Sequence, residues 1–270
     1  MMLDSIFAMF SYSFLIRAVI VGVLVAICAS LLGVSLVLKR FSMIGDGLSH
    51  VGFGALAIAG ALNLAPLAVA IPVVIIATFF LLKLRETGKD GDSMVAIIST
   101  SSLAIGITVV SFSTGITTDI NNYMFGSILS LSKGDVVLSI PLTVAVIVLF
   151  ILFYNRIFSI TFDERFAKAT GQNTELLNTL IAVLTAVTIV LGMRLMGALL
   201  ISALIIFPAL TSMKLFKSFL SVTISSAVIA VFSMLAGMIL SYNFNTPAGA
   251  GIVLVNLTVY IIFVIINFLR

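Results

Sequence analysis

Residues 13–38 read SFLIRAVIVGVLVAICASLLGVSLVL, and after the basic pair Lys39-Arg40 a second apolar stretch, residues 43–62, reads MIGDGLSHVGFGALAIAGAL. Each stretch is close to the roughly 20 residues that a helix needs to cross about 30 Å of hydrocarbon. Lipid offers no hydrogen-bond partner to an exposed backbone, so stretches of this kind must be helical. The pair therefore predicts two consecutive membrane helices.

The rest of the chain repeats this pattern. It is 61% hydrophobic and only 9% charged, and its mean hydropathy is +1.33. These values predict an all-α membrane protein, a polytopic bundle of eight or nine transmembrane helices that forms a single domain over residues 1–270. The nine apolar segments are 13–38, 43–62, 65–84, 93–113, 135–154, 176–193, 195–213, 218–240 and 248–269. Segment 195–213 is short and contains Pro208, so a re-entrant or broken helix there would leave eight crossings.

Basic residues give the orientation. If all nine segments cross and the N-terminus is outside, three basic residues lie outside: Arg17, Lys133 and Arg194. Eleven lie on the cytoplasmic side: Lys39, Arg40, Lys83, Arg85, Lys89, Arg156, Arg165, Lys168, Lys214, Lys217 and Arg270. This bias predicts an N-out, C-in protein of the cell (plasma or inner) membrane. Because the basic residues cluster at helix ends, the net charge of +4 does not indicate nucleic-acid binding.

Asp46 and the single histidine, His50, lie inside the second segment. At a spacing of i and i+4 both side chains share a helix face. Ionisable groups within a span are costly and usually serve transport, and a carboxylate with an imidazole is a partial ligand set for zinc, manganese or ferrous iron. The alternative is structural, with Asp46 capping the helix and His50 bonding to a neighbouring helix. With Cys28 as the only cysteine, one chain lacks ligands for a closed zinc site, whereas a homodimer would supply two of each.

Small residues surround this pair, and they predict close packing of the second helix against its neighbours. They are Gly45, Gly47, Gly52, Gly54, Ala55, Ala57 and Gly60.

The cytoplasmic loop at about 156–175 has helical periodicity. Phe162, Phe166 and Ala169 fall at i, i+4 and i+7, which fits a short amphipathic helix that ends at Gly171. Charged residues occupy the other faces: Asp163, Glu164, Arg165 and Lys168. A solvated connecting loop is the alternative. On the outer side, the longest connection runs from Thr114 to Asp135, and its stretch 123–129 fits a short helix dipping into the membrane face.

Catalytic signatures are missing: the sequence has no phosphate-binding loop of the form G-x-x-x-x-G-K-[ST], no H-E-x-x-H and no G-x-S-x-G. We therefore expect a transport subunit rather than an enzyme, with no permanently bound cofactor. Its energy source would be an ion gradient or a separate ATPase.

Five stretches together resemble one known family, the permease subunits of zinc, manganese and iron ABC importers. The first is KRFSMIGDGLSHVGFGALA at 39–57. The other four are YMFGSILSLSKGD at 123–135, ITFDERFAKATGQN at 160–173, MGALLISALIIFPAL at 196–210 and LSYNFNTPAGAGIVLV at 240–255.

This resemblance implies a homodimeric permease domain in membrane lipid, with two cytoplasmic ATPase subunits and an extracytoplasmic metal-binding protein as partners. It makes 160–173 the coupling helix, so that Phe162, Asp163, Glu164, Arg165, Phe166, Ala169 and Gly171 would contact the ATPase. It also makes Asp46 and His50 contacts of a transported divalent ion in the translocation pathway. Lys39-Arg40 and Gly52-Phe53-Gly54 are more typical of the zinc branch, with manganese the next choice.

Two other functions remain open from the residues. A secondary cation transporter or channel would use Asp46 and His50 as an ion or proton relay, and would need no ATPase-docking loop. An ABC importer of an iron chelate or vitamin would need a wide aromatic-lined cavity instead of a narrow pathway.

Overall fold

The computed structural model describes residues 13–87, 91–112, 133–244 and 246–269, and within these ranges every regular element is a helix. In chain order the helices are α1 Ser13–Leu38, α2 Ser42–Ala61, α3 Pro66–Thr87, α4 Gly91–Phe112, α5 Lys133–Leu152, α6 Tyr154–Phe162, α7 Glu164–Ala169, α8 Thr174–Met196, α9 Ala198–Leu215, α10 Phe219–Phe244 and α11 Ala248–Leu269. The nine long ones coincide with the nine predicted segments. The all-α prediction is confirmed for the part of the chain that is described.

By length and composition, the described helices give up to eight spans, the lower of the two predicted numbers. Seven of the described helices are long and apolar enough to cross a membrane, and an eighth span results if α5 and α6, which are bent by 69° at their junction, count as one. Helix α2 is not among the seven, because its glycines and polar residues lower its hydropathy. The helix that carries Asp46 and His50 therefore has a lower hydropathy than those seven.

The interruption that Pro208 predicted within segment 195–213 is not observed. Helix α9 continues from Ala198 to Leu215 with Pro208 inside it. The break lies before it, at Gly197, whose φ of 85° ends α8 and starts α9 with one residue between them. A proline inside a membrane helix is tolerated because neighbouring helices supply hydrogen-bond partners for the backbone groups that the proline leaves unpaired. Here Pro208 and its neighbour Ala209 are both buried.

Helix α2 lies inside the bundle, and its glycines allow this. It packs mainly against α4 and also contacts α3, α8 and α9. A Cβ added at Gly47 would lie 2.7 Å from a methyl of Val95, and one at Gly54 would lie 2.8 Å from the carbonyl oxygen of Ser102, both on α4. The close packing predicted from the small residues is therefore observed, and it is what permits two helix backbones to approach.

The turn between α1 and α2 is tight. The N–H of Phe41 donates to the carbonyl of Leu36, and that of Arg40 donates to the carbonyl of Val37. This is the two-bond pattern of a Schellman cap, with Arg40 at the left-handed position (φ 59°) where glycine is usual. Three residues thus reverse the chain without a flexible loop.

One sequence prediction falls on residues that the structure does not describe. The outer connection from Thr114 to Asp135, for which we predicted a short helix at 123–129, lies outside the described ranges apart from the first turn of α5.

We expect Gly33→Ala to destabilise the protein by about 1–3 kcal/mol, the usual range for overpacking. A Cβ at Gly33 of α1 would overlap the carbonyl oxygen of Ile205 on α9, and a backbone group cannot rotate away as a side chain does. The matched control is Gly60→Ala, because nothing lies within 4 Å of a Cβ there. Thermal unfolding in detergent measures both. Equal melting temperatures for the two variants would contradict this packing.

Candidate functional site: a metal-ligating pair and a segment between spans

The two predicted metal ligands lie side by side on α2. The His50 Nε2 and Asp46 Oδ2 atoms are 3.8 Å apart, which is too long for a hydrogen bond but close enough for both groups to approach one ion. The side chains are 27% and 54% exposed, respectively. The i, i+4 spacing therefore places both on one face, as predicted, and leaves both accessible.

The first half of α2 has one exposed window, formed by Met43, Asp46 and His50. From Val51 to Ala57 the helix is buried, and exposure returns only near its end, at Ile58. The window thus lies in the first three turns of α2, at the end where α2 meets α1. The two ionisable groups therefore lie where the single chain leaves its first half open.

The contacts that a purely structural role would need, a cap from Asp46 and a bond from His50 to a neighbouring helix, are not observed among the described residues. The N-cap of α2 is Phe41, and no side chain caps this end. The Asp46 carbonyl accepts a bond from Ser49 Oγ at 2.7 Å, but the Asp46 carboxylate is not a cap. The Nδ1 atom of His50 is buried and has no hydrogen-bond partner among the described residues. An orphaned buried polar atom costs about 1–3 kcal/mol, so a role beyond packing is favoured.

Asp46 and His50 are too few to hold a metal ion firmly within one chain. Among the residues that the structure describes, no group of three or more His, Cys, Asp or Glu side chains could hold a metal ion. Zinc is almost always four-coordinate in proteins. If the pair binds a metal, a single copy would supply only half of the ligands.

Sequence reasoning missed two hydroxyls behind the pair. Ser202 of α9 donates to Ser49 Oγ at 3.3 Å, and Ser49 immediately precedes His50. Both serines are buried. The contact holds α9 against the pair's helix, and it depends on tertiary packing that no spacing pattern reveals.

The segment between α5 and α8 forms two short helices instead of the single one predicted. Asp163 lies between them in an extended conformation (φ −147°, ψ 93°), and its carboxylate accepts the N–H of Phe166 at 2.9 Å as the N-cap of α7. The cap stops α6, so the i, i+4, i+7 spacing does not run along one helix. The amphipathic face predicted from Phe162, Phe166 and Ala169 is wrong.

Burial shows which residues of the two short helices face the bundle. Phe162 and Phe166 are 59% and 62% exposed, and Ala169 is exposed as well. The buried residues of the two helices are Ile157, Ile160, Thr161 and Ala167. Asp163, Glu164 and Arg165 are exposed, so the segment presents two large apolar side chains among charges.

Gly171 ends α7, as predicted from the sequence. Its φ of 82° is left-handed. Its N–H donates to the carbonyl of Lys168, and the N–H of Gln172 donates to that of Ala167. These bonds form a Schellman cap, which fixes the exit from the segment.

An aromatic cluster anchors the segment to α10. The ring of Phe219, the first residue of α10, lies 5.2 Å from that of Phe158 and 6.0 Å from that of Phe162. Tyr154 joins the cluster with its ring 5.4 Å from that of Phe219. The segment is therefore packed against the bundle and is not a solvated connecting loop.

A helical membrane bundle with an accessible aspartate–histidine pair in one helix, and an anchored, partly apolar segment between spans, is typical of a membrane transport subunit. The model of the ABC 3 transport family matches residues 11–267. The chain belongs to this family, and it is a multi-pass membrane permease of the metal ABC importer type.

Relatives named for different metals are about equally similar. A probable metal transport system membrane protein of Thermotoga maritima is 30% identical (90% of this chain, 86% of that protein). The high-affinity zinc uptake system membrane protein ZnuB of Haemophilus influenzae is 27% identical (93% and 97%). The manganese transport system membrane protein MntC of Listeria monocytogenes is 28% identical (93% and 90%). The family resemblance seen in the sequence is confirmed, and the comparisons do not separate zinc from manganese.

The fold is also that of a solved transporter. The structure of PsaBC from Streptococcus pneumoniae in complex with Fab matches with a TM-score of 0.88 and 28% identity, and the match covers 97% of this chain and 95% of that one. The similarity spans the whole bundle and not a part of it.

Gly171→Ala should weaken the cap of α7, because a residue with a Cβ in the left-handed region costs about 1–2 kcal/mol. Nothing lies within 4 Å of a Cβ at this position, so the effect is one of backbone conformation alone. Hydrogen–deuterium exchange should be faster over residues 164–172. Gly171→Asn is the matched control, since asparagine tolerates this conformation better. Identical exchange in the two variants would contradict the assigned cap.

Proposed function

We propose that this protein is the permease subunit of an ATP-driven importer that moves a divalent transition metal, zinc first and manganese next, from an extracytoplasmic binding protein into the cytoplasm. Two copies form the permease, and Asp46 and His50 of both line the pathway. Cytoplasmic ATPase subunits dock on α6 and α7. The ion is cargo, so no cofactor stays bound.

The observation that carries this proposal is the exposed window on α2. A pair of ligands that is half of a coordination set, exposed in one window of a helix whose middle is buried, is completed most simply by the same window of a second copy. Two aspartates and two histidines then give four ligands. Such a shared site also suits conduction, because an ion must enter readily and leave readily.

Docking of the ATPase is supported by the segment's surface. Phe162 and Phe166 are large apolar side chains with most of their surface exposed. Their neighbours in the same short segment are also exposed: Asp163, Glu164, Arg165, Ala169 and Gly171. An apolar anchor within a polar rim is typical of a protein-binding surface. With the N-out orientation predicted from the positive-inside pattern, this surface would lie in the cytoplasm, where ATP is.

The choice of metal depends on the ligands. Imidazole suits zinc, and carboxylate oxygens suit manganese, so one of each accommodates both ions. Affinity for a given nitrogen and oxygen site is higher for zinc than for manganese in the usual order of divalent metals. Zinc is accordingly the first choice.

In proteoliposomes that contain the permease and its ATPase, Asp46→Asn and His50→Ala should each lower ATP-dependent uptake of radiolabelled zinc or manganese by about ten-fold or more. Each change removes a ligand that the ion contacts. Asp46→Glu keeps the carboxylate and should retain more uptake than Asp46→Asn. Wild-type uptake in both ligand variants would remove the pair from the mechanism. Uptake by the permease alone, driven by a proton gradient without ATP, would favour a secondary transporter.

His50→Asp should raise the rate of manganese uptake relative to that of zinc, since it replaces a nitrogen ligand by oxygen. The measurement is uptake of each labelled metal in competition with the other at equal concentration. His50→Asn, which removes the imidazole without adding a charge, is the control for general damage. If the zinc-to-manganese ratio is the same in wild type and His50→Asp, His50 does not select the metal.

A further inference from the structure

Three polar side chains from three parts of the chain meet at the α6–α7 end of the bundle. The Lys39 ammonium donates to Glu164 Oε2 at 3.2 Å and to Asn178 Oδ1 at 2.6 Å. Asn178 Nδ2 donates to Glu164 Oε1 at 2.7 Å. Lys39 belongs to the turn between α1 and α2, Glu164 starts α7, and Asn178 lies in the second turn of α8. The three contacts close a triangle, and both carboxylate oxygens of Glu164 are used.

The triangle is not an ordinary surface ion pair. The Lys39 side chain is 7% exposed and that of Glu164 is 46% exposed. Exposed pairs hold long side chains weakly, because water and salt compete for both charges. Here the cation is enclosed and the anion reaches it from the surface segment. A buried ammonium keeps its partners, because losing one leaves a charge without compensation.

Lys39 is connected stiffly to the metal-ligating helix. Arg40 and Phe41 are fixed by the Schellman bonds of the turn, and α2 starts at Ser42. At a rise of about 1.5 Å per residue, Asp46 lies about 6 Å and His50 about 12 Å along the helix from Ser42. No flexible residue lies between the triangle and the exposed window, so a displacement of Lys39 moves the start of α2.

A small apolar cavity lies beside the triangle. Helices α1, α2, α3 and α8 line it, and Lys39, Phe41, Ile44 and Asn178 are among its lining residues. Packed interiors resist sliding because they have few voids. At about 20 Å³ the cavity has room for about one water, so it is a small gap in the packing between the turn and the first turn of α2.

We propose that Lys39 and Asn178 are positioning residues that transmit movement of the Glu164 segment to α2, and so couple the ATPase to the metal pathway. This inference rests on the proposed function. A docked ATPase that displaces α7 carries the Glu164 carboxylate with it. The hydrogen bond to Lys39 then pulls the α1–α2 turn, and the hydrogen bond from Asn178 pulls α8. The metal-ligating window moves relative to the enclosing helices.

The test measures metal imported per ATP hydrolysed in proteoliposomes that contain permease and ATPase. Lys39→Gln should lower this ratio by about five-fold or more, the lower end of usual coupling free energies, while ATP hydrolysis continues at the wild-type rate. Asn178→Leu, which leaves Lys39 paired with Glu164, should lower it less. Lys217→Gln is the matched control: Lys217 is exposed in the connection between α9 and α10, and the ratio should stay at the wild-type value.

Restoration separates coupling from damage. The double variant Lys39→Glu/Glu164→Lys reverses the ion pair, and the Asn178 amide can bind either charge by rotating. It should recover most of the ratio that Lys39→Gln loses. A parallel fall of transport, ATP hydrolysis and melting temperature in Lys39→Gln and Asn178→Leu would make the triangle merely structural and overturn the inference.

A ratio unchanged in both single variants would also overturn the inference, and it would leave the proposed function intact. Absence of ATP-dependent metal uptake by the wild-type complex would instead overturn the proposed function itself. The two failures are therefore distinguishable in one set of measurements.

Discussion

Ionisable side chains on a membrane helix must be kept from lipid, and this constraint explains the arrangement around α2. Asp46 and His50 would cost several kcal/mol on a lipid-facing surface. Helix α2 packs against α3, α4, α8 and α9, which its glycines allow to approach. Asp46 and His50 lie in the window of its first half that the single chain leaves open, and in the proposed dimer a second copy would cover them. In that proposal, close packing of α2 and its candidate metal ligands belong to the same run of sequence.

The same constraint determines where the pair lies along the bundle. Asp46 comes one turn after the tight α1–α2 turn, which is bound through Lys39 to Glu164 and Asn178. The candidate ATPase-docking segment and the candidate metal pathway therefore share one end of the molecule, joined by hydrogen bonds and a short stiff turn. In the proposed importer this proximity makes coupling direct, because a movement of the ATPase would displace α6 and α7 and, through them, the start of α2.

Much of this could be predicted from the sequence, because apolar length determines membrane helices and spacing determines which residues share a helix face. The nine long helices, the shared face of Asp46 and His50 and the cap at Gly171 follow from such local rules. The break at Asp163 does not, because an N-cap and a continuing helix differ by only about 1 kcal/mol, and the tertiary surroundings decide. Neither the pairing of Lys39 with Asn178 nor the hydroxyls of Ser49 and Ser202 has a sequence signal, since each joins residues far apart in the chain.

The most direct test of the central claim is to locate the metal in the assembled permease. Crystals of the membrane complex soaked with zinc, measured at the zinc absorption edge, should give one anomalous peak between two copies of α2. We expect it about 2.0–2.2 Å from an imidazole nitrogen of His50 and a carboxylate oxygen of Asp46 of each copy. A peak remote from both residues, or one bound to a single copy by other ligands, would contradict the account.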